Sequence, residues 1–197
     1  MSRAVNGRGQ PTDSSPADRP FKLAKHAELT DRFERALRAG DGLEGAHCVH
    51  ELWMRGAMAV HITTALDRLW QHAADSIPEW LPTRHIEWLP LAYETAAGFE
   101  AGKRGRTNVY LILLDYSDSR GEPHGVYVGM SRYRPAERYD QHKAGIRAAG
   151  CVLRRGLEVL TGPTLHLQYI SRADAARIEE ELAEALRMRG VFVRGGH

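Results

Sequence analysis

The chain of 197 residues contains only two cysteines, Cys48 and Cys151, far apart in sequence. That excludes a disulfide framework and, without a Cys-x-x-Cys pair, a cysteine-rich zinc site. Both thiols are expected to be inert in a reducing compartment. Long apolar runs are missing as well. "LILL", Leu111 to Leu114, is far short of the roughly 20 residues a membrane-crossing helix needs. The opening "MSRAVNGRGQPTDSSPADRP" lacks the apolar stretch of a secretory signal. Nor is there an excess of one charge: 27 Lys and Arg stand against 25 Asp and Glu, a formal net charge of +2. Any attraction to a polyanion must therefore be local. These absences lead us to expect a soluble cytoplasmic protein with no membrane partner.

What is present is an ordinary apolar content, 43%, enough for a packed core. Residues 1–20 are rich in Gly, Pro, Ser and Asp and read as a disordered arm. Residues 21–105 read as a helical module. Leu23, Ala27, Leu29, Phe33 and Leu37 keep helical spacing up to Gly40. Val49 through Trp70 reads as one longer helix, broken at Pro78 and Pro82, and "TRHIEWLPLAYETAAGFEAG" supplies a short one cut by Pro90. From residue 106 to 197 the pattern changes. "NVYLILLDY" and "VYVGM" read as a hairpin, and Pro135 opens a helix running to Ala149. "LHLQYI", 165–170, alternates like a third strand, and Ala175, Ile178, Leu182 and Ala185 form the stripe of a last helix closed by Gly190. "VFVRGGH" can add a short strand. The expected class is α/β: a small sheet of three strands flanked by helices, preceded by the helical module.

The local charge lies in "YVGMSRYRPAERYDQHKAGIRAA". Arg132, Arg134, Arg138, Lys143 and Arg147 gather there with His142, opposed only by Glu137 and Asp140. Arg138 and His142, four residues apart, share a helix face, with Tyr139 and Ile146 placed to anchor the helix on the sheet. Tyr110 and Tyr127, on the two hairpin strands, can direct their hydroxyls into the same space.

In this order and on these elements, the residues resemble the GIY-YIG nuclease superfamily. "NVY" (Asn108–Tyr110) stands where the family has its first motif, and "YVG" (Tyr127–Gly129) where it has its second. Arg138 and His142 match the helix pair. In "AARIEEELAEAL" the family pattern of a Glu followed three residues later by Leu selects Glu179. The likeness covers roughly residues 107–197. The chain departs from the pattern in three places: Asn108 replaces a Gly, the loop between the tyrosines is longer, and the Asn many members carry after the last helix is absent.

The resemblance implies a metal-dependent endonuclease hydrolysing phosphodiester bonds of DNA, with RNA the other polyanion that would fit. Arg138 would stabilise the charge growing on the phosphoryl oxygens. Glu179 would hold one Mg²⁺ or Mn²⁺, a hard cation satisfied by one carboxylate and several waters. His142 or Tyr110 would take the proton of the attacking water, with Tyr127 positioning water or phosphate. Arg132, Arg134, Lys143, Arg147, Arg154 and Arg155 would contact neighbouring phosphates without reading sequence. Two rival expectations come from other classes. The missing Asn motivates a non-catalytic nucleic-acid-binding protein on the same fold. Trp53, Trp70, Trp80 and Trp88, all within 21–105, motivate an adaptor that docks a protein partner through the module.

Overall fold

The computed structural model describes residues 19–78, 80–81, 86–118 and 123–196. Most of the expected disordered arm, the break at Pro82, the middle of the hairpin loop and the terminal His197 lie outside the described residues.

Three helices open the fold: α1 (His26–Ala39), α2 (Gly42–Met54) and α3 (Ala59–Ala73). The Asp41 side chain caps α2 by accepting the Glu44 N–H at 2.9 Å. Phe33, Leu37, Ala46, Val49, Ile62 and Leu69 form their common core. The single long helix expected over Val49–Trp70 is instead two, separated by a turn at Gly56. Leu23, 90% exposed, and Trp70, 45% exposed, lie outside the core they were expected to join.

α4 (Leu89–Ala97) does not belong to this unit. Pro90 sits in its first turn, where a missing N–H costs nothing. Its Ala92 and Ala96 pack into the core under the sheet. The helical stretch expected over 21–105 therefore divides, its last helix serving the α/β half.

The sheet has four strands, one more than expected, in the order β3-β1-β2-β4. β1 (Asn108–Asp115) and β2 (His124–Ser131) form the hairpin, with Tyr110 opposite Gly129. β3 (Gly156–Val159) lies antiparallel on the other side of β1, and β4 (Val193–Gly195) runs parallel to β2. The expected strand at 165–170 is mostly a 3-10 turn, Gly162–Leu167, leaving one bridge between Thr107 and Ile170. Pro163 in the first turn and the Gln168 amide, donating to Thr164 O and Val109 O, fix that conformation.

β1 is buried on both faces, as a central strand should be. Val109, Leu111 and Leu113 pack with Ile178, Leu182 and Leu186 of α7 (Arg172–Met188). Tyr110, Ile112 and Leu114 face Met54, Tyr139 and Val152. Tyr139 belongs to α5 (Pro135–Lys143) and Val152 to α6 (Gly150–Arg155). The helix expected to reach Ala149 stops at Lys143, because Gly145 takes a φ of 78° and turns the chain. Ile146, expected to anchor that helix, is 55% exposed. Tyr139 does anchor it, donating its hydroxyl to Gly156 O and Leu157 O. Among the described residues no helix is long and apolar enough to cross a membrane.

Candidate active site

β1 and β2 present Tyr110 and Tyr127 on the face covered by α5. Their ring centroids lie 6.2 Å apart, and that of His142 lies 6.4 Å from Tyr110 and 5.8 Å from Tyr127. Such an approach leaves no room beneath the rings. A Cβ on Gly129 would fall 2.5 Å from the Tyr127 ring and 2.9 Å from the Tyr110 hydroxyl. The glycine of "YVG" thus lets the two phenols meet. Gly129→Ala is expected to destabilise the fold by about 1–3 kcal/mol, measured by urea unfolding, because the rings can clear the methyl only by leaving their rotamers.

His142, on the helix face it was expected to share with Arg138, is 1% exposed. Its Nδ1 accepts the Ala149 N–H at 3.0 Å, and its Nε2 meets the Tyr110 hydroxyl at 3.1 Å. A backbone donor on Nδ1 places the single imidazole proton on Nε2, which donates to Tyr110 Oη. Burial and the Arg138 charge lower its pKa from 6.5 to about 4. In the unfolded chain the ring takes up a proton near pH 6.5, in the folded chain only near 4. Acid in that window therefore stabilises the unfolded form. Stability should fall by on the order of 2–3 kcal/mol as pH drops from 6.5 to 4, and fall less steeply in His142→Asn, as urea titrations at stepped pH would report.

Burial raises the pKa of Tyr110, the neighbouring Tyr127 adds to it, and Arg138 opposes both. Burial raises Tyr127 as well, followed by the charge of Glu179. At the sheet edge Gly195 holds a φ of 81°, and a Cβ there would clash with Val128 O and fall 3.0 Å from the Tyr127 ring.

Arg138 is half-buried on α5. Its Nη1 donates to Gln141 Oε1 and Ile146 O, both at 3.0 Å, and its Nη2 to Arg147 O at 2.7 Å. Those contacts use three of its five N–H groups. The loop after α5 therefore orients both catalytic candidates of the helix, through two carbonyls and one amide. Arg147 accepts a φ of 45° within it. None of these partners was read from the sequence. Gly145, interrupting a basic helix, was the one signal that a loop begins there.

The phosphate contacts expected around the site divide. Arg132, Arg134, Arg147 and Arg154 are exposed. Lys143 is exposed as well, but its Nζ is engaged, donating to Leu153 O and Gly156 O, and partial burial lowers its pKa. Arg155 is held by both oxygens of Asp118 and covers the Tyr116 ring at 4.5 Å. Asn108, in place of the family's glycine, ties loops together. Its Nδ2 donates to Ser131 O and Tyr133 O, and its Oδ1 accepts the Tyr169 N–H.

Two of the four tryptophans have partners within the chain. Trp80 packs on His47 and His50, with centroids at 5.1 and 5.9 Å, and Trp88 donates to His124 O at 3.3 Å. Burial raises the Cys48 thiol to about 12, in keeping with an inert residue. No family model, curated protein or solved structure matches the chain. Among the described residues, no three His, Cys, Asp or Glu side chains cluster to hold a metal.

Proposed function

We propose that the chain is an endonuclease that hydrolyses phosphodiester bonds of DNA at the site made by Tyr110, Tyr127, Arg138, His142 and Glu179. The observation that supports this reading is the meeting of two phenols and one neutral histidine from three elements, with the charges of Arg138 and Glu179 acting on the phenols.

The donor set fits a hard divalent ion. Glu179 offers one carboxylate beside hydroxyl oxygens, and Mg²⁺ or Mn²⁺ binds with few protein ligands, keeping its remaining positions for water and phosphate. Bound there, the ion would stabilise charge on the leaving 3′ oxygen and lower the proton affinity of nearby hydroxyls.

The chain's own residues divide the remaining work. Arg138, held by Gln141 and the Ile146 and Arg147 carbonyls beside Tyr110, would turn its remaining N–H groups to phosphoryl oxygens, whose charge grows in the transition state. Tyr110, rather than His142, would take the proton of the attacking water, since the Nε2 of His142 already carries its hydrogen; it must first lose its own phenolic proton to solvent, which burial opposes and which the Arg138 charge and a bound cation would favour. His142 donates that hydrogen to Tyr110 and so favours the phenolate. Tyr127 donates its hydroxyl to phosphate or water. Arg132, Arg134 and Arg147 meet the flanking phosphates.

Supercoiled plasmid incubated with the protein and Mg²⁺ or Mn²⁺ tests the reading. Metal-dependent nicking supports it. Salt-sensitive binding without cleavage in either ion would instead support a binding protein that has lost catalysis.

A further inference from the structure

A cavity of about 840 Å³ opens beside α5, between that helix, the segment leading into α1, and the 3-10 turn after β3. Arg19, Glu51, Arg55 and Asp140 lie in its wall but pair with one another. Arg19 grips both oxygens of Glu51 at 2.9 Å and reaches Asp140 at 2.6 Å, and Arg55 also donates to Glu51. The charges left for a ligand are Lys22, Lys25 and Arg134 against Glu137. Arg134 lies one turn before Arg138 on the same helical face, so the cavity and the phosphodiester site share a basic edge.

Its mouth carries Leu165 and Tyr169. Tyr169 is 49% exposed and holds a φ of 60°, left-handed backbone that an aromatic residue adopts at a cost. Two contacts enforce it: Asn108 Oδ1 accepts its N–H at 3.0 Å, and its carbonyl accepts the Gly105 N–H at 3.0 Å. Glycine would meet the backbone demand without strain. A half-exposed aromatic ring lining one cavity with cationic side chains is what a base and its phosphates require together.

We propose that this cavity takes an unpaired stretch of the nucleic-acid strand, one base stacked on Tyr169 and phosphates on Arg134, Lys22 and Lys25. The inference rests on the function proposed above and narrows its substrate to nucleic acid with a single-stranded segment beside the cut. Bases inside an intact duplex are stacked on each other and cannot offer a face to Tyr169. The volume lies within the range of small-ligand sites and is ample for a nucleotide unit.

Fluorescence anisotropy with the full chain and chelated metal tests it, using a labelled single-stranded oligothymidine and a blunt duplex of equal length. Tyr169→Gly and Tyr169→Asn both tolerate the left-handed backbone and should keep the wild-type melting temperature. They should weaken single-strand binding about 5- to 100-fold while changing duplex binding little. Unchanged single-strand affinity in both variants would overturn the proposal, as would displacement of the oligonucleotide by a glutamate-rich peptide at equal concentration. A wild type that nicks plasmid while those variants bind normally removes this inference and leaves the function standing. A wild type that neither nicks nor binds nucleic acid removes both.

Discussion

Arg138→Ala is expected to lower the rate of metal-dependent nicking about 100- to 1000-fold, the usual cost of one preorganised donor to a developing oxyanion. The effect should fall on kcat more than on substrate binding, because charge on the phosphoryl oxygens grows only as the transition state forms. Arg138→Lys should recover little. A lysine cannot present two parallel N–H groups, and it would also abandon the Ile146 and Arg147 carbonyls that hold the loop. That loop carries the amide that sets the His142 tautomer, so the lysine variant should disturb His142 as well. Single-turnover nicking rates, with circular dichroism to confirm the fold, measure both.

Glu51→Ala is expected to cost about 3–5 kcal/mol of stability, a large share of what a domain of this size has. Burial pushes the Glu51 carboxyl up, but hydrogen bonds and charge from Arg19 and Arg55 outweigh it and hold it below its ordinary pKa. Removing it takes the shared carboxylate from two guanidiniums: Arg19, almost fully buried, is left with Asp140 as its one acid, and Arg55 with backbone carbonyls alone. The loss would also loosen α5, since Arg19 binds Ala136 O and Asp140 on that helix. Glu51→Gln keeps the volume but not the charge and should recover only part. Urea unfolding at pH 7 gives the comparison, and a loss below about 1 kcal/mol would mean the buried network holds little.

The hairpin was legible because its first strand is a continuous β-rich apolar run, buried on both faces, and the last helix because its apolar residues keep a period of 3.6 over many positions. β3 was not, since four residues directly after a helix carry no period. "LHLQYI" misled for the opposite reason. Leu165 and Tyr169 point out while Leu167 points in, as in a strand, but Pro163 and the Gln168 amide decide the backbone. Arg19 was hidden in a polar tail that has nothing apolar to bury, its partners 32 and 121 positions away. In the site, the side chains could be read and their orientation could not. The Ala149 amide and the carbonyls of Ile146 and Arg147 are groups that every residue has, and only the turn at Gly145 brings them to His142 and Arg138.

The most direct test compares plasmid nicking by the wild type, Tyr110→Phe, Glu179→Gln and the double variant Arg138→Ala with Glu179→Gln. If one site does the chemistry, the wild type nicks with Mg²⁺, each single variant falls by about 100-fold or more, and the double is little worse than the worse single. A wild type that does not nick with Mg²⁺ or Mn²⁺, or a Glu179→Gln variant that nicks like the wild type, would contradict the account.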